Sequence, residues 1–322
     1  MLIALTACVG TGSGDRPSPL DDSTARDSSV ESHVDSGVSP PGLSTSTVPR
    51  NPHRRTWLDV AVGAQHACGQ NPERTLTCWG TGNPPVVDQV PPVAEVVAGV
   101  GGTCVTTLED ELWCYYWPQP ERLSPTNARG ISVGAAAVCW ADSEGGAGCE
   151  YTESPHVTGE ELDQVPEGQF LAIDVSKWSA CGVLADGSLT CWGDGTLPEV
   201  EVPAGVYTDV AVGYAHACAL NEAGGIECWG GAHDPDYDRI LEPPEGQFIE
   251  LAVSSYLACA VRVDGLVSCW GWQYSWTGVL EPPTNARFKS VDKGGGVGCG
   301  VTRSDEIRCW GNEGNGVLDV PE

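Results

Sequence analysis

Thr208 to Gly231 read TDVAVGYAHACALNEAGGIECWGG. A β-branched run, a glycine, a second apolar run through Cys218, a turn at Asn221 to Gly225 and a third run through Cys228 describe three short strands. Nine residues separate the two cysteines, an odd number, so they face each other directly if the second and third runs form one hairpin. A three-residue loop then occupies the fourth to sixth positions after the first cysteine. Its last residue falls in the left-handed region, where glycine is least strained, and Gly224 stands there. Directly opposed residues of a non-hydrogen-bonded antiparallel pair have Cα atoms about 4.5 Å apart, within disulfide reach.

The same spacing recurs along the chain. Cys68 and Cys78, Cys104 and Cys114, Cys139 and Cys149, Cys181 and Cys191, Cys218 and Cys228, Cys259 and Cys269, and Cys299 and Cys309 are each ten residues apart. Successive first cysteines follow at 35 to 42 residues. Eight residues before each first cysteine stands an aliphatic (Val60, Val96, Ile131, Ile173, Val210, Leu251, Val291), and five before it a Gly or Ser. Eleven after it come Trp79, Tyr115, Glu150, Trp192, Trp229, Trp270 and Trp310. The loop position held by Gly224 is Gly145, Gly187 and Gly265 in three other units, and Arg74, Asp110 and Asp305 in the rest. No segment holds a helical period, so the repeat is all-β. Its seven units run over about 57–92, 93–128, 129–167, 168–206, 207–246, 247–286 and 287–322.

Structural zinc sites want cysteines about two to four residues apart, backed by a second such pair or by histidines. This chain has none at that spacing. Seven equal pairs favour disulfides over reduced thiols, and disulfides require an oxidising compartment. Seven small sheets set radially form a propeller, which leaves only short, protected strand edges.

The elements HACAL and IECWGG about a turn, with stretches such as WGNEGNGVLDVPE (310–322), resemble the regulator of chromosome condensation repeat. The short unit is similar to bacterial members, among them the secreted β-lactamase inhibitor protein II. The resemblance covers nearly everything after Trp57 and implies a seven-bladed β-propeller. The first unit lacks the GVLDVP-like segment that precedes the aliphatic strand elsewhere, and the chain supplies one at its end. Val317 to Val320 are therefore expected as a strand beside Leu58 to Val62, joining the last unit to the first.

Ahead of the repeats, Leu5-Thr6-Ala7-Cys8 resembles the lipobox of bacterial lipoproteins, which implies that Cys8 is lipidated and that 1–8 is a truncated export signal. Residues 9–56 are rich in Ser, Asp, Pro and Gly without hydrophobic period and are expected to be a flexible tether to the propeller at 57–322. The expected location is the cell envelope or cell surface, lipid-anchored, and otherwise extracellular.

The net charge of −28, with only three lysines, argues against nucleic acid and anionic membranes as partners. Contact with membrane is expected only through the lipid. His66 and His216 share one repeat offset and read as structural. Asp186 to Trp192 resembles the Asp-box turn of sialidase propellers, which is itself a turn motif. No cofactor is expected. Asp234, Asp236, Asp238, Glu242 and Glu245 repeat calcium-loop offsets, but Arg239 replaces the turning glycine and prolines flank the loop, so a solvated loop is preferred to a calcium site.

Aromatic residues depart most from the repeat. In WGWQYSWTG (270–278), Trp270, Trp272, Tyr274 and Trp276 alternate with other residues, and Trp113, Tyr115 and Trp117 do so in LWCYYWP. Trp270 and Tyr115 hold the repeat's own aromatic position and are expected in the core. Trp272, Tyr274, Trp276 and Trp117 exceed the pattern and are the candidate binding residues. The function expected is a non-catalytic binding propeller, monomeric, whose partner is a protein ahead of a glycan. A structural surface-coat protein and a secreted hydrolase are the alternatives.

Overall fold

The computed structural model describes residues 56–81, 91–100, 102–116, 120–135, 137–142, 144–151, 162–193, 197, 201–231, 238–272 and 278–321. Cys8, the tether up to residue 55, Trp117, Asp234, Asp236, Tyr274 and Trp276 lie outside the described residues.

Seven antiparallel sheets follow one another, and together they form a seven-bladed β-propeller. The inner strands are Asp59–Val62, Val93–Ala98, Ala128–Val133, Phe170–Val175, Tyr207–Val212, Phe248–Val253 and Phe288–Gly294. Each pairs with a middle strand that carries the first cysteine, and the middle strand pairs with an outer strand that carries the second. The second blade adds a fourth strand, Pro120–Thr126.

The hairpin register is the one that the odd spacing requires, with every first cysteine directly opposite its second. Each blade holds one disulfide. Cys68 is bonded to Cys78, Cys104 to Cys114, Cys139 to Cys149, Cys181 to Cys191, Cys218 to Cys228, Cys259 to Cys269 and Cys299 to Cys309. The bonded Cα atoms are 4.0 or 4.1 Å apart, closer than the 4.5 Å or so of an ordinary non-hydrogen-bonded pair, because the bridge draws the two strands together. The two cysteines of a pair differ in surroundings where the outer strand borders solvent. Every first cysteine is fully buried, as is Cys114 beneath the extra strand of its blade, whereas Cys78, Cys149, Cys191, Cys228, Cys269 and Cys309 are half-buried.

The sixth residue after each first cysteine has positive φ in all blades. It is 81 to 88° at Gly145, Gly187, Gly224 and Gly265, and 58 to 63° at Arg74, Asp110 and Asp305. Seven disulfides assign the chain to an oxidising, extracytoplasmic compartment.

That backbone twist does more than turn the hairpin, because it aims the carbonyl at the following blade. Val93 N donates to Arg74 O at 2.8 Å, Phe170 N to Gly145 O at 2.8 Å, Tyr207 N to Gly187 O at 2.9 Å, Phe248 N to Gly224 O at 2.8 Å and Phe288 N to Gly265 O at 2.7 Å. The second junction uses Asn127 N and Asp110 O at 3.1 Å. The seventh bond joins the last blade to the first, from Trp57 N to Asp305 O at 2.9 Å.

The hydrophobic core is divided in the same way. Seven clusters each lie between two neighbouring blades. All seven aliphatics eight residues before the cysteines are buried. The cluster between last and first blades unites Val297, Val301 and Ile307 with Trp57, Val60 and Trp79.

In four blades the tryptophan after the hairpin fixes the linker. Trp192, Trp270 and Trp310 donate their indole N–H at 3.0 Å to the carbonyls of Leu162, Ile240 and Val279, which are buried aliphatics of the segment leading in from the previous blade. Trp79 makes the same bond at 2.7 Å, but its acceptor is Val317 at the far end of the sequence. Closure through Val317 therefore holds, whereas its expected form does not. Residues 317–320 are turn and irregular chain rather than a strand beside 58–62. Gly316 is left-handed at φ 64°, Asp319 N turns back on Gly316 O, and the segment's contribution is a carbonyl and three apolar side chains.

Candidate binding site at the mouth of the central channel

The inner strands surround a cavity of about 760 Å³ to which all seven contribute. An inner strand has one unpaired edge, and its N–H groups need acceptors that the sheet does not supply. The sequence supplies them at two positions, nine and seven residues before the first cysteine. Glu95 accepts from the backbone of Gly130 and Ile131 in the next blade. Val291 N donates to Glu250 Oε1 at 3.2 Å, Val212 N to Asp174 Oδ2 at 2.6 Å and Val62 N to Asp292 Oδ2 at 2.6 Å. In the third blade Ser132 takes the place of the acid. Its Oγ accepts from Val175 N at 3.1 Å and donates to Asp174 Oδ1. Asp59 and Asp209 accept instead from the N–H of their own following residues, Val60 and Val210. Five of the seven junctions are thus braced across the channel wall, the last-to-first junction included.

Six carboxylates in one cavity are electrostatically costly. Burial, followed by mutual repulsion in several cases, raises the pKa of Asp174 to about 6, of Glu95, Asp209 and Asp292 to about 7 and of Glu250 to about 8, and that of Asp59 is raised as well. A carboxyl whose folded pKa exceeds its unfolded value binds a proton on folding. The stability it contributes is full below the unfolded value and is lost as pH rises through the folded one. Burial shifts Lys293, His216 and His66 the other way, but these oppose with at most one proton each, fewer than the six carboxyls supply. Melting temperature is therefore expected to fall from pH 6 to pH 8.5. Glu250→Gln keeps the acceptor for Val291 N and removes the charge. It should leave stability unchanged at pH 5 and raise it at pH 8 by on the order of 2 kcal/mol, less than the full shift implies because the channel admits water. Equal melting of the two proteins across that pH range would contradict this electrostatic reading.

One mouth of the channel is formed by the loops between inner and middle strands. Ala64, Val100, Ala135, Lys177, Tyr214, Ser255 and Gly295 line it, one from each blade. Small residues dominate except on the fourth to sixth blades, which bring Lys177, Trp178, Tyr214 and Tyr256. Lys177 Nζ lies 4.5 Å from the centroid of the Trp178 ring. Tyr214 is 45% exposed, and its ring centroid is 6.0 Å from that of Tyr256. Tyr256 in turn packs edge to face on Trp272 at 5.7 Å.

The backbone explains why Trp272 reaches this mouth. In the first, fifth and seventh blades the residue just past the outer strand donates to the inner loop, as Thr81 to Gln65, Gly231 to Ala215 and Asn312 to Gly296. Trp272 N makes the equivalent bond to Tyr256 O at 3.0 Å. Of the candidate binding residues Trp272 is thus on the loop face, half-buried against Tyr256. Trp117, Tyr274 and Trp276 lie outside the described residues. Trp270 is core, as expected, and Tyr115 is half-buried at the edge of one cluster.

The opposite, hairpin-turn face exposes Leu58, Leu108, Leu171, Val206, Ile249 and Val263, but these are divided among the first, second, fourth and sixth units. His66 Nε2 is 2.7 Å from Thr103 Oγ1 of the second blade, a structural contact. His216 lacks that partner because Ala258 stands where Thr103 does. Asp186 Oδ1 accepts from Ser188 N and Oγ, which makes the Asp-box resemblance a turn. In the acidic loop, Asp238–Leu241 forms a short 3-10 helix that presents the Ile240 carbonyl to Trp270, while Glu242 and Glu245 are exposed. Among the described residues no three His, Cys, Asp or Glu side chains converge as metal ligands, and no helix is long and apolar enough to cross a membrane.

No family model and no curated protein matches the chain by sequence. Among solved structures it is similar to the ectodomain of the Physcomitrella patens receptor kinase CR4, at 19% identity over 80% of this chain and 74% of that one, with a TM-score of 0.66. It is similar also to the CRINKLY WD40 ectodomain of the Arabidopsis thaliana receptor kinase ACR4, at 17% identity over 80% and 96% of the two chains and a TM-score of 0.64. A third likeness is to Saccharomyces cerevisiae Prp20p, whose structure was described with its binding to Gsp1p and histones, at 14% identity over 79% and 82% and a TM-score of 0.58. At such identities the likeness shows the fold, a β-propeller, and leaves the partner open.

Proposed function

We propose that the chain is a non-catalytic binding propeller of the short bacterial form, similar to β-lactamase inhibitor protein II, held at the bacterial cell envelope by a lipid on Cys8. It binds a protein through the loop face. The observation that carries this reading is the contiguous aromatic row Tyr214, Tyr256 and Trp272 beside the channel mouth, on blades that depart from the small residues found at most equivalent positions. Large aromatics with a polar edge supply much contact area at little cost in side-chain entropy, which suits them to anchor a protein partner. Loops at blade ends vary without disturbing the sheets, so a binding surface there is compatible with the repeat.

The reading is tested with the soluble propeller as bait against envelope extract, followed by affinity measurement for whatever protein is retained. The variant carrying Tyr214→Ala, Tyr256→Ala and Trp272→Ala is expected to bind at least about 30-fold more weakly, the loss of a hot-spot cluster. Its melting temperature should stay within a few degrees of the parent, because these side chains are exposed or half-buried. Unchanged affinity in a folded variant would remove the loop-face aromatics from the binding role.

A further inference from the structure

Tyr214, Tyr256 and Trp272 form a row that begins at the rim of the channel, since Tyr214 itself lines the opening, and runs outward from there. At the position of Tyr214 other blades carry Ala64, Val100, Ala135, Ser255 and Gly295, none of them large enough to close the mouth. A partner seated on the row therefore lies directly beside an open channel.

What stands below the rim decides the charge of that partner. Asp174 and Asp292 come two residues before the loop positions Ser176 and Gly294, and at a strand rise of about 3.3 Å per residue they sit roughly 7 Å down, within reach of one extended arginine or lysine. Asp59, Glu95, Asp209 and Glu250 follow two residues deeper. All six are half-buried and line the cavity. Asp292 accepts from Val62 N and Lys293 N, and Asp174 from Val212 N and Ser132 Oγ, yet each carboxylate oxygen has two lone-pair sites and can take a further donor. The wall offers little positive charge of its own. Lys293 turns its amine into the interblade core, 3.3 Å from Ser254 Oγ, and Lys177 lies over the Trp178 ring. The imidazoles of His66 and His216, buried behind Gly63 and Gly213, have their pKa lowered by that burial and add no charge above neutral pH.

We propose that the loop face receives a protein segment tipped by an arginine or lysine, whose apolar neighbours lie on Tyr214, Tyr256 and Trp272 while the basic side chain passes into the channel mouth toward Asp174 and Asp292. This partner chemistry rests on binding at the loop face, as proposed for the chain above. The net charge of −28 draws such a segment in, and the channel fixes where its charge goes. A cation beside the carboxyls favours their ionised form, so binding expels protons that the free channel holds, and affinity rises with pH as those groups titrate. Carboxylates on the outer surface, with ordinary values of about 4, are already ionised at pH 5.5 and give no such rise.

The oxidised chain is used at pH 8, in about 0.15 M salt, to select from phage-displayed, disulfide-closed peptides of random sequence. The peptides recovered are expected to carry an arginine or lysine beside apolar residues. Replacing it with citrulline or norleucine, which are of similar length and uncharged, should weaken binding at least about tenfold, and affinity should be at least about tenfold lower at pH 5.5, the factor that one pKa unit confers. Val100 is 67% exposed at the rim and Leu108 is 58% exposed on the opposite face. Val100→Arg should weaken binding about tenfold and Leu108→Arg by less than about twofold, which separates the channel from the general charge of the chain. Peptides that lose affinity for the triple alanine variant of the aromatic row, yet bind alike without their basic residue, at both pH values or to Val100→Arg, would overturn this inference and leave the loop-face reading standing. Peptides indifferent to the triple variant, or the recovery of none, would overturn both.

Discussion

Reduction of the seven disulfides is expected to unfold the propeller at 25 °C. Among the described residues each blade has three short strands, or four in the second, and the core is split into seven interblade clusters rather than gathered in one. Closing an eleven-residue loop removes denatured-state entropy worth about 2.8 kcal/mol in the chain model, an upper guide for so local a loop. Seven such bridges amount to about 20 kcal/mol at that limit, and half of it still matches the roughly 5–15 kcal/mol by which whole domains are stable. The cysteines of the middle strands are fully buried, so reduction will follow local opening and show a lag. Fluorescence of the buried Trp57, Trp79, Trp192, Trp229, Trp270 and Trp310 reports the outcome. A chain fully reduced by dithiothreitol that keeps its melting transition would show that the interblade cores suffice alone.

Removal of residues 315–322 is expected to cost about 3–5 kcal/mol. Val317 is buried in the cluster between last and first blades, and Leu318 and Val320 pack on it. Its carbonyl is the acceptor for Trp79 Nε1, and Asn315 O accepts from Thr81 N at 3.0 Å. Deletion leaves a buried indole donor without a partner as well as an unfilled apolar site. The ring should nevertheless remain closed, because the Trp57 to Asp305 bond and the Val62 to Asp292 brace lie outside the deleted segment. Urea unfolding monitored by circular dichroism measures the loss, and an unchanged midpoint would mean that the terminal segment closes nothing.

The fold was legible because a disulfide repeat reports geometry directly. An odd spacing fixed which residues face each other, and the left-handed position followed from the loop length even at Arg74, where the residue type disfavours it. The terminal segment was placed correctly but given the wrong form. A run such as GVLDVP has strand composition, whereas its duty here is to offer a carbonyl to a tryptophan some 240 residues away, and no local pattern encodes that.

The site was less legible for the same reason. Trp272 stood out because it follows the Trp-Gly of its blade, but Tyr214 and Tyr256 sit one at a time in short loops and meet only when the blades are brought together. The channel carboxylates were hidden by alternation between two offsets, since a blade that lacks an acid at one tends to carry it at the other. Within a total of 44 acidic residues they read as solvated charge. Aligning the inner strands and asking which positions face the unpaired edge would have exposed them.

Channel, rim and braces all presuppose that the seventh blade meets the first as the others meet their neighbours. Amide hydrogen exchange tests this at single residues. The amides of Val93, Asn127, Phe170, Tyr207, Phe248 and Phe288 each donate to the hairpin of the preceding blade, and Trp57 N makes the same bond to Asp305 O across the closure. In a closed ring the Trp57 amide is protected to the same degree as the other six. Free exchange at Trp57 beside protection at those six would mean an open ring and would contradict the structure on which the binding face and the channel depend.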